Sequence, residues 1–203
     1  PYVLSVKNPD RYYCSVGKDL PPEGVPTEYS YSVINPYWLL GKMNGALARI
    51  LKIFNIQVTR NYFYDLICYP DHFLGWIPLT TLKGVRMIQK NKIDAIYVSC
   101  TPFSAALIGV FLKLLTKKPL LLDFRDPFAV GISTYADVSR IRRAANRWFE
   151  KTFLKHADLF FVTSEETRQE YIKEYPWVED KTFTIYNGFD SVTPLDGSRR
   201  KFD

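Results

Sequence analysis

The feature that most constrains this chain is the alternation of apolar runs with amphipathic stretches between residues 95 and 186. Ala95-Ile96-Tyr97-Val98-Ser99, Leu120-Leu121-Leu122 within Pro119 to Phe124, Leu159-Phe160-Phe161-Val162 and Phe183-Thr184-Ile185-Tyr186 read as strands. Between them lie segments long enough for helices. Strand–helix–strand alternation at this spacing argues for an α/β domain with a parallel sheet. A near-continuous apolar strand such as Leu120-Leu121-Leu122 is what a parallel sheet covered on both faces requires.

The connecting segments carry their own signals. Pro102, pre-set in φ and lacking an N–H, is expected to open a helix that runs to Leu115. A long helix is predicted over Asp137 to His156. Ser164 is placed to cap a helix that begins with Glu165 and Glu166, whose charges suit the positive end of the helix dipole, and that ends near Tyr175-Pro176. The first half is less regular. Tyr2 to Val6 and Glu28 to Ile34 read as strands separated by a polar loop rich in Pro and Gly. Trp38 to Phe54 reads as a helix, with Leu39, Leu40, Met43, Leu47, Ile50, Leu51 and Phe54 on one wide apolar stripe, which favours core packing. A further helix is predicted from about Ile77 to Lys90. Asn187-Gly188 turns the chain. One domain over residues 1–190, followed by a polar tail or linker over 191–203, accounts for the pattern.

Composition narrows the function. A hydrophobic content of 47% supplies a real core. Cys14, Cys68 and Cys100 are sparse and odd in number, and His72 and His156 are isolated. This speaks against a zinc or redox site and fits a reducing, cytoplasmic setting. No run reaches the ~18 apolar residues of a membrane span. Pro1 points to a piece of a longer polypeptide. There is no Gly-x-Gly-x-x-Gly fingerprint, no Walker loop and no nucleic-acid-binding motif. The formal net charge of +6 fits an anionic partner such as a phosphate or a lipid headgroup, and equally an ordinary basic surface. The same two readings apply to the stripe of Arg140, Arg143, Arg147 and Lys151, which is either a solvated face or a surface that meets anionic lipid.

In open α/β sheets ligands bind beyond the carboxyl ends of the strands. That rule selects Ser99 to Pro102, Asp123 to Pro127, Thr163 to Glu165 and Asn187 to Asp190. Asp123-Phe124-Arg125-Asp126-Pro127-Phe128 is the densest in charge. Its carboxylates can bind hydroxyls or accept a proton, and Arg125 can hold a phosphate. The alternative is an internal Arg–Asp pair that fixes the loop. Ser99 to Pro102 leads into a helix, where free N–H groups either cradle an anion or are simply capped. Cys100 has no visible base to make it a nucleophile.

Tyr69-Pro70-Asp71 with Trp76, Asp94 to Ser99 with Thr101-Pro102, Asp123 to Phe128, Ala157-Asp158 with Phe161 to Glu165, and Ile185 to Asp190 follow one another in a specific order. In that series the chain resembles the N-terminal, acceptor-side domain of family-4 glycosyltransferases of the two-lobed GT-B fold. The resemblance covers nearly the whole chain. It implies a Rossmann-like lobe that binds the acceptor, a separate C-terminal lobe that binds a nucleotide sugar through a Glu-x7-Glu pattern, no bound metal, and often work on lipid-linked acceptors at the inner face of the cell membrane. Two departures stand out. The family's first strand and Gly-Gly loop have no counterpart here, and the donor lobe is absent, so the isolated chain is expected to be inactive. Some relatives carry a His where this chain offers Arg125 and Asp126. The site residues expected on this reading are Arg125 and Asp126 lining the cleft. Ser99, Thr101, Asp123, Ser164, Glu165, Asn187 and Gly188 are expected to contact substrate. The competing readings are a non-catalytic binding or scaffold domain, and a sugar-nucleotide epimerase on the same fold.

Overall fold

The computed structural model describes residues 1–6, 24–33, 36–55, 63, 67–131 and 139–188. At the N-terminal end β1 (Val3–Val6) and β2 (Thr27–Ser30) form a two-stranded parallel sheet. The next elements are α1 (Pro36–Ile53), a 3-10 turn at Leu74–Trp76, and α2 (Ile77–Asn91). The regular alternation then begins: β3 (Ile96–Cys100), α3 (Ser104–Thr116), β4 (Leu120–Phe124), α4 (Arg140–His156), β5 (Leu159–Val162), α5 (Glu165–Glu174) and β6 (Thr182–Thr184). β3 to β6 form a four-stranded parallel sheet in chain order. The α/β class, with helices packed on parallel sheets, is as expected.

The core lies on the face that carries Leu120, Leu122, Phe124, Phe160 and Val162, all buried. Phe124 is its centre, with edge-on ring contacts to Phe103, Phe153, Phe160 and Tyr171. Helix α3 approaches this sheet closely because position 109 is glycine. A Cβ there would lie 2.8 Å from Val98 Cγ2 and 2.9 Å from Leu120 Cδ1. On the opposite face Tyr97 and Phe183 remain half-exposed.

Several predicted boundaries need correction. Pro102 does not open α3. It follows a cis peptide bond, and the helix begins at Ser104, where the Asp71 carboxylate accepts hydrogen bonds from Ser104 N (2.9 Å) and Ser104 Oγ (2.5 Å). A cap supplied from 33 residues away carries no local signal. β2 stops at Ser30, because Val33 N bonds to Gly75 O rather than continuing the ladder. β6 ends at Thr184, although Ile185 N still reaches Val162 O. Helix α4 starts at Arg140, its first turn capped by Ser139 Oγ accepting from Arg142 N (3.1 Å); the earlier predicted residues 137–138 lie outside the described residues, as does the tail from residue 189.

One helix face also differs from expectation. The α1 stripe is wider than its contact with the protein: Leu40 is buried, but Leu39, Met43, Ile50 and Phe54 are exposed. On α4 the basic stripe faces solvent, together with Ile141 and Trp148, at 65% and 63% exposure. The buried line of α4 includes the polar residues Arg142, Asn146 and Glu150, beside Phe153 and Leu154.

Candidate functional site

Because β3 to β6 are parallel, the loops after them emerge at one edge, and four polar loops meet there. Arg125 is the hub. Its N–H donates to Cys100 O (3.0 Å) just beyond the β3–β4 ladder. Its Nε lies 3.1 Å from Asp123 Oδ2. Its Nη1 donates to Asn187 Oδ1 (2.5 Å) in the loop after β6, and its carbonyl accepts from Thr163 Oγ1 (3.2 Å) after β5. One side chain and its backbone therefore join all four strand ends. Asp123 is buried and holds two partners, since the Tyr97 hydroxyl also donates to its Oδ2 (2.6 Å). Burial, then the hydrogen bond to Asp123, pushes the Tyr97 phenol up to about 12, so it stays a donor at neutral pH.

The predicted site residues fall into two groups. Thr101, Asp123, Arg125, Asp126 and Asn187 come together, with Thr101 Oγ1 donating to exposed Asp126 Oδ2 at 3.4 Å. Gly188 follows Asn187 at the same edge and is exposed, and Ser99 is exposed near the end of β3. Ser164 and Glu165 serve the fold. Ser164 Oγ accepts from Thr167 N (3.1 Å) as the cap of α5. Glu165 accepts from Gln169, Thr184 and Arg168, and these bonds hold its carboxyl below the usual range. Asp123 takes the internal-pair reading, since it is the buried partner that fixes Arg125 within the polar edge. Cys100 is buried, and burial raises its thiol far above neutral pH, so it is no nucleophile.

Sequence reasoning missed three parts of this arrangement. Tyr97 was read only as a strand residue, and its reach to Asp123 depends on the β3–β4 register. Thr163 lay within a selected loop without being singled out. The largest omission is the clasp behind the site. Glu150, fully buried on α4, accepts from Ala129 N (2.7 Å), Val130 N (3.3 Å), the Tyr171 hydroxyl (2.8 Å) and the Tyr175 hydroxyl (3.0 Å). It anchors the chain that leads away from Arg125 and Asp126. A lone Glu in a basic helix gives little warning of this, except that Phe153 and Leu154 share its face. Arg142 does similar work nearby, donating to Cys68 O (2.9 Å) and Pro70 O (3.4 Å).

Among the described residues no cluster of three or more His, Cys, Asp or Glu could hold a metal ion. No helix of the described residues is long and apolar enough to cross a membrane.

A parallel α/β lobe whose polar loops gather at the carboxyl edge of the sheet, with the ordered motifs above on those loops, defines the N-terminal, Rossmann-like lobe of a GT-B glycosyltransferase. The chain belongs to Glycosyltransferase Family 4, whose family model matches residues 37–192. No curated protein matches it.

Proposed function

We propose that this lobe binds the acceptor in an enzyme that moves a hexosyl group from a nucleotide sugar to a hydroxyl of a glycan or lipid-linked acceptor, with retention of configuration. The observation that supports this best is the Arg125 hub, a guanidinium fixed by Asp123 and Asn187 at the edge where a second lobe would close. Arg125 stabilises charge on the departing diphosphate, and the protein accelerates transfer by positioning and by pre-set electrostatics. Asp126 binds or deprotonates the acceptor hydroxyl, while Ser99 and Thr101 donate hydrogen bonds to it. Asn187 and Gly188 shape the edge between the lobes. No metal enters this reading. The donor is held by a C-terminal lobe, so residues 1–203 alone transfer no sugar. The test is to incubate full-length protein, and separately this chain, with a panel of nucleotide sugars and candidate acceptors. Transfer by the full-length protein alone is expected; transfer by the isolated chain overturns the division of labour. Product formed from the nucleotide sugar with no acceptor present would point to an epimerase instead.

The outer face of α4 supports a place at the inner surface of the cell membrane. Arg140, Arg143, Arg147 and Lys151 are exposed there beside Trp148 and Ile141, the pairing of cations with an interfacial aromatic that suits anionic headgroups. Flotation with vesicles of phosphatidylglycerol and phosphatidylcholine should carry the protein upward, and Trp148→Ser with Lys151→Glu should abolish this. Equal flotation of the variant removes α4 from the argument.

A further inference from the structure

Between Cys100, where β3 ends, and Ser104, where α3 begins, only Thr101, Pro102 and Phe103 intervene. Phe103 anchors this loop from below, packing on Phe128 (ring centroids 4.2 Å apart) and on Phe124 (5.2 Å). Its far end is set by Asp71. One carboxylate oxygen accepts from Ser104 N (2.9 Å), and the other accepts from Ser104 Oγ (2.5 Å) and Phe73 N (2.9 Å). Ser104 is fully buried, so losing these bonds would be costly. The first N–H groups of α3 are engaged inside the fold: Ser104 N by Asp71, Ala105 N by Pro102 O (3.1 Å), Ala106 N by the Cys100 sulfur, and Leu107 N by Phe103 O (3.3 Å). Of the two uses open to this helix start, an anion cradle or a cap, the structure shows the cap.

Asp71 is itself placed from α4. Arg142, on the buried line of that helix, donates through Nη1 to Cys68 O (2.9 Å) and through Nη2 to Pro70 O (3.4 Å). Its guanidinium lies 5.1 Å from the centre of the Tyr69 ring, and Tyr69 stacks on Phe149 of the same helix (6.1 Å). The three residues before Asp71 are thus fixed on α4. About two turns further along, Glu150 holds Ala129 and Val130 of the loop that follows Asp126. One helix therefore fixes both loops that meet where Thr101 Oγ1 donates to Asp126 Oδ2. At 3.4 Å that bond is long for a hydroxyl donor, and both side chains are exposed, so it does not hold the two loops in register by itself. Their register comes from the buried bonds behind them.

We propose that Asp71 is a positioning residue for the acceptor. It acts through Ser104: the carboxylate fixes the start of α3, and with it the placement of Thr101 Oγ1 opposite Asp126. Arg142 holds Asp71 in place for this. The proposal rests on the reading of Thr101 and Asp126 as the groups that grip the acceptor hydroxyl. The donor is held by the other lobe on that reading, so its binding does not depend on Asp71. Releasing the end of the loop by about an ångström misaligns the hydroxyl, a displacement that costs on the order of 10²-fold in rate where geometry is pre-set.

Steady-state kinetics on the full-length protein tests this, using the nucleotide sugar and acceptor it turns over best in the panel above and varying each separately. In Asp71→Ala the acceptor KM should rise by about tenfold or more and kcat should fall, while the donor KM stays within about twofold of the parent. Asp71→Asn keeps the size of the side chain and leaves one backbone N–H without its acceptor. Its effect should be smaller and in the same direction, and it carries the test if the alanine variant does not fold. Thr101→Val should also raise the acceptor KM, and adding Asp71→Ala to it should do little more, because both act through one contact. A role confined to stability lowers the active fraction, hence the apparent kcat, and leaves both KM values unchanged; that pattern overturns the proposal. Equal rises in both KM values overturn it too, as does full additivity of the Asp71 and Thr101 losses. A parent that transfers no sugar removes the enzyme reading on which the proposal rests, whereas an active parent matched by its Asp71 variants removes the proposal alone.

Discussion

Replacing Glu150 tests whether one buried carboxylate organises the back of the site. Glu150→Ala leaves four donors without their acceptor, namely the N–H groups of Ala129 and Val130 and the hydroxyls of Tyr171 and Tyr175. Each buried donor left unmade costs ~1–3 kcal/mol, and rotation of the phenols and entry of water recover part of the total. The net loss is therefore about 3–5 kcal/mol, a large share of an ordinary domain's stability. Glu150→Gln behaves differently. Ala129, Val130 and Tyr171 all use Oε1, which the amide keeps, and the Tyr175 hydroxyl can turn to accept from the new NH2. That variant should lie within about 1 kcal/mol of the parent. Urea unfolding followed by tryptophan fluorescence measures both. The pH dependence adds a sign. Burial raises the Glu150 carboxyl above its ordinary value of 4.5, outweighing the hydrogen bonds that lower it. The folded state therefore holds the proton more tightly, so this contribution is full below 4.5 and is lost as pH rises through the raised value. The parent should lose stability relative to Glu150→Gln across that window. An alanine variant as stable as the parent, or a glutamine variant as damaged as alanine, refutes the account of the clasp.

Burial raises the thiol of Cys68 to about 11 and that of Cys100 further still, so neither should react with a thiol reagent at pH 7 until the chain is unfolded; rapid labelling of either in the folded protein contradicts their placement. Gly109→Ala should destabilise by ~1–3 kcal/mol through overpacking against Val98 and Leu120, seen as a melting temperature lowered by several degrees; an unchanged melting temperature would mean that α3 does not lie so close to the sheet.

What could be read from the sequence follows from where each signal resides. The second half was legible because its strands are apolar runs and its helices are punctuated by caps such as Ser164, which are local. The start of α3 was not, since Asp71 sets it from a distant loop. The face of α1 was misjudged for a related reason. Periodicity reports that a helix is amphipathic, but contact decides which apolar residues are covered. On α4 the buried line holds Arg142 and Glu150, which bind backbone groups of neighbouring segments, while Trp148 and Ile141 face outward. The site divided the same way. Arg125, Asp123 and Asn187 were selected by their place after strands, yet their joining across four strand ends depends on sheet register. Ser164 and Glu165 satisfied the same rule and prove to be cap and brace.

The most direct test of the central claim is the rate of sugar transfer by the full-length protein carrying Arg125→Ala, measured against the parent at matched thermal stability. If Arg125 stabilises charge in transfer, kcat/KM should fall by ~10²–10³ with most of the loss in kcat. An unchanged kcat/KM at equal stability would contradict the account and leave the Arg125 hub as a structural tie between strand ends.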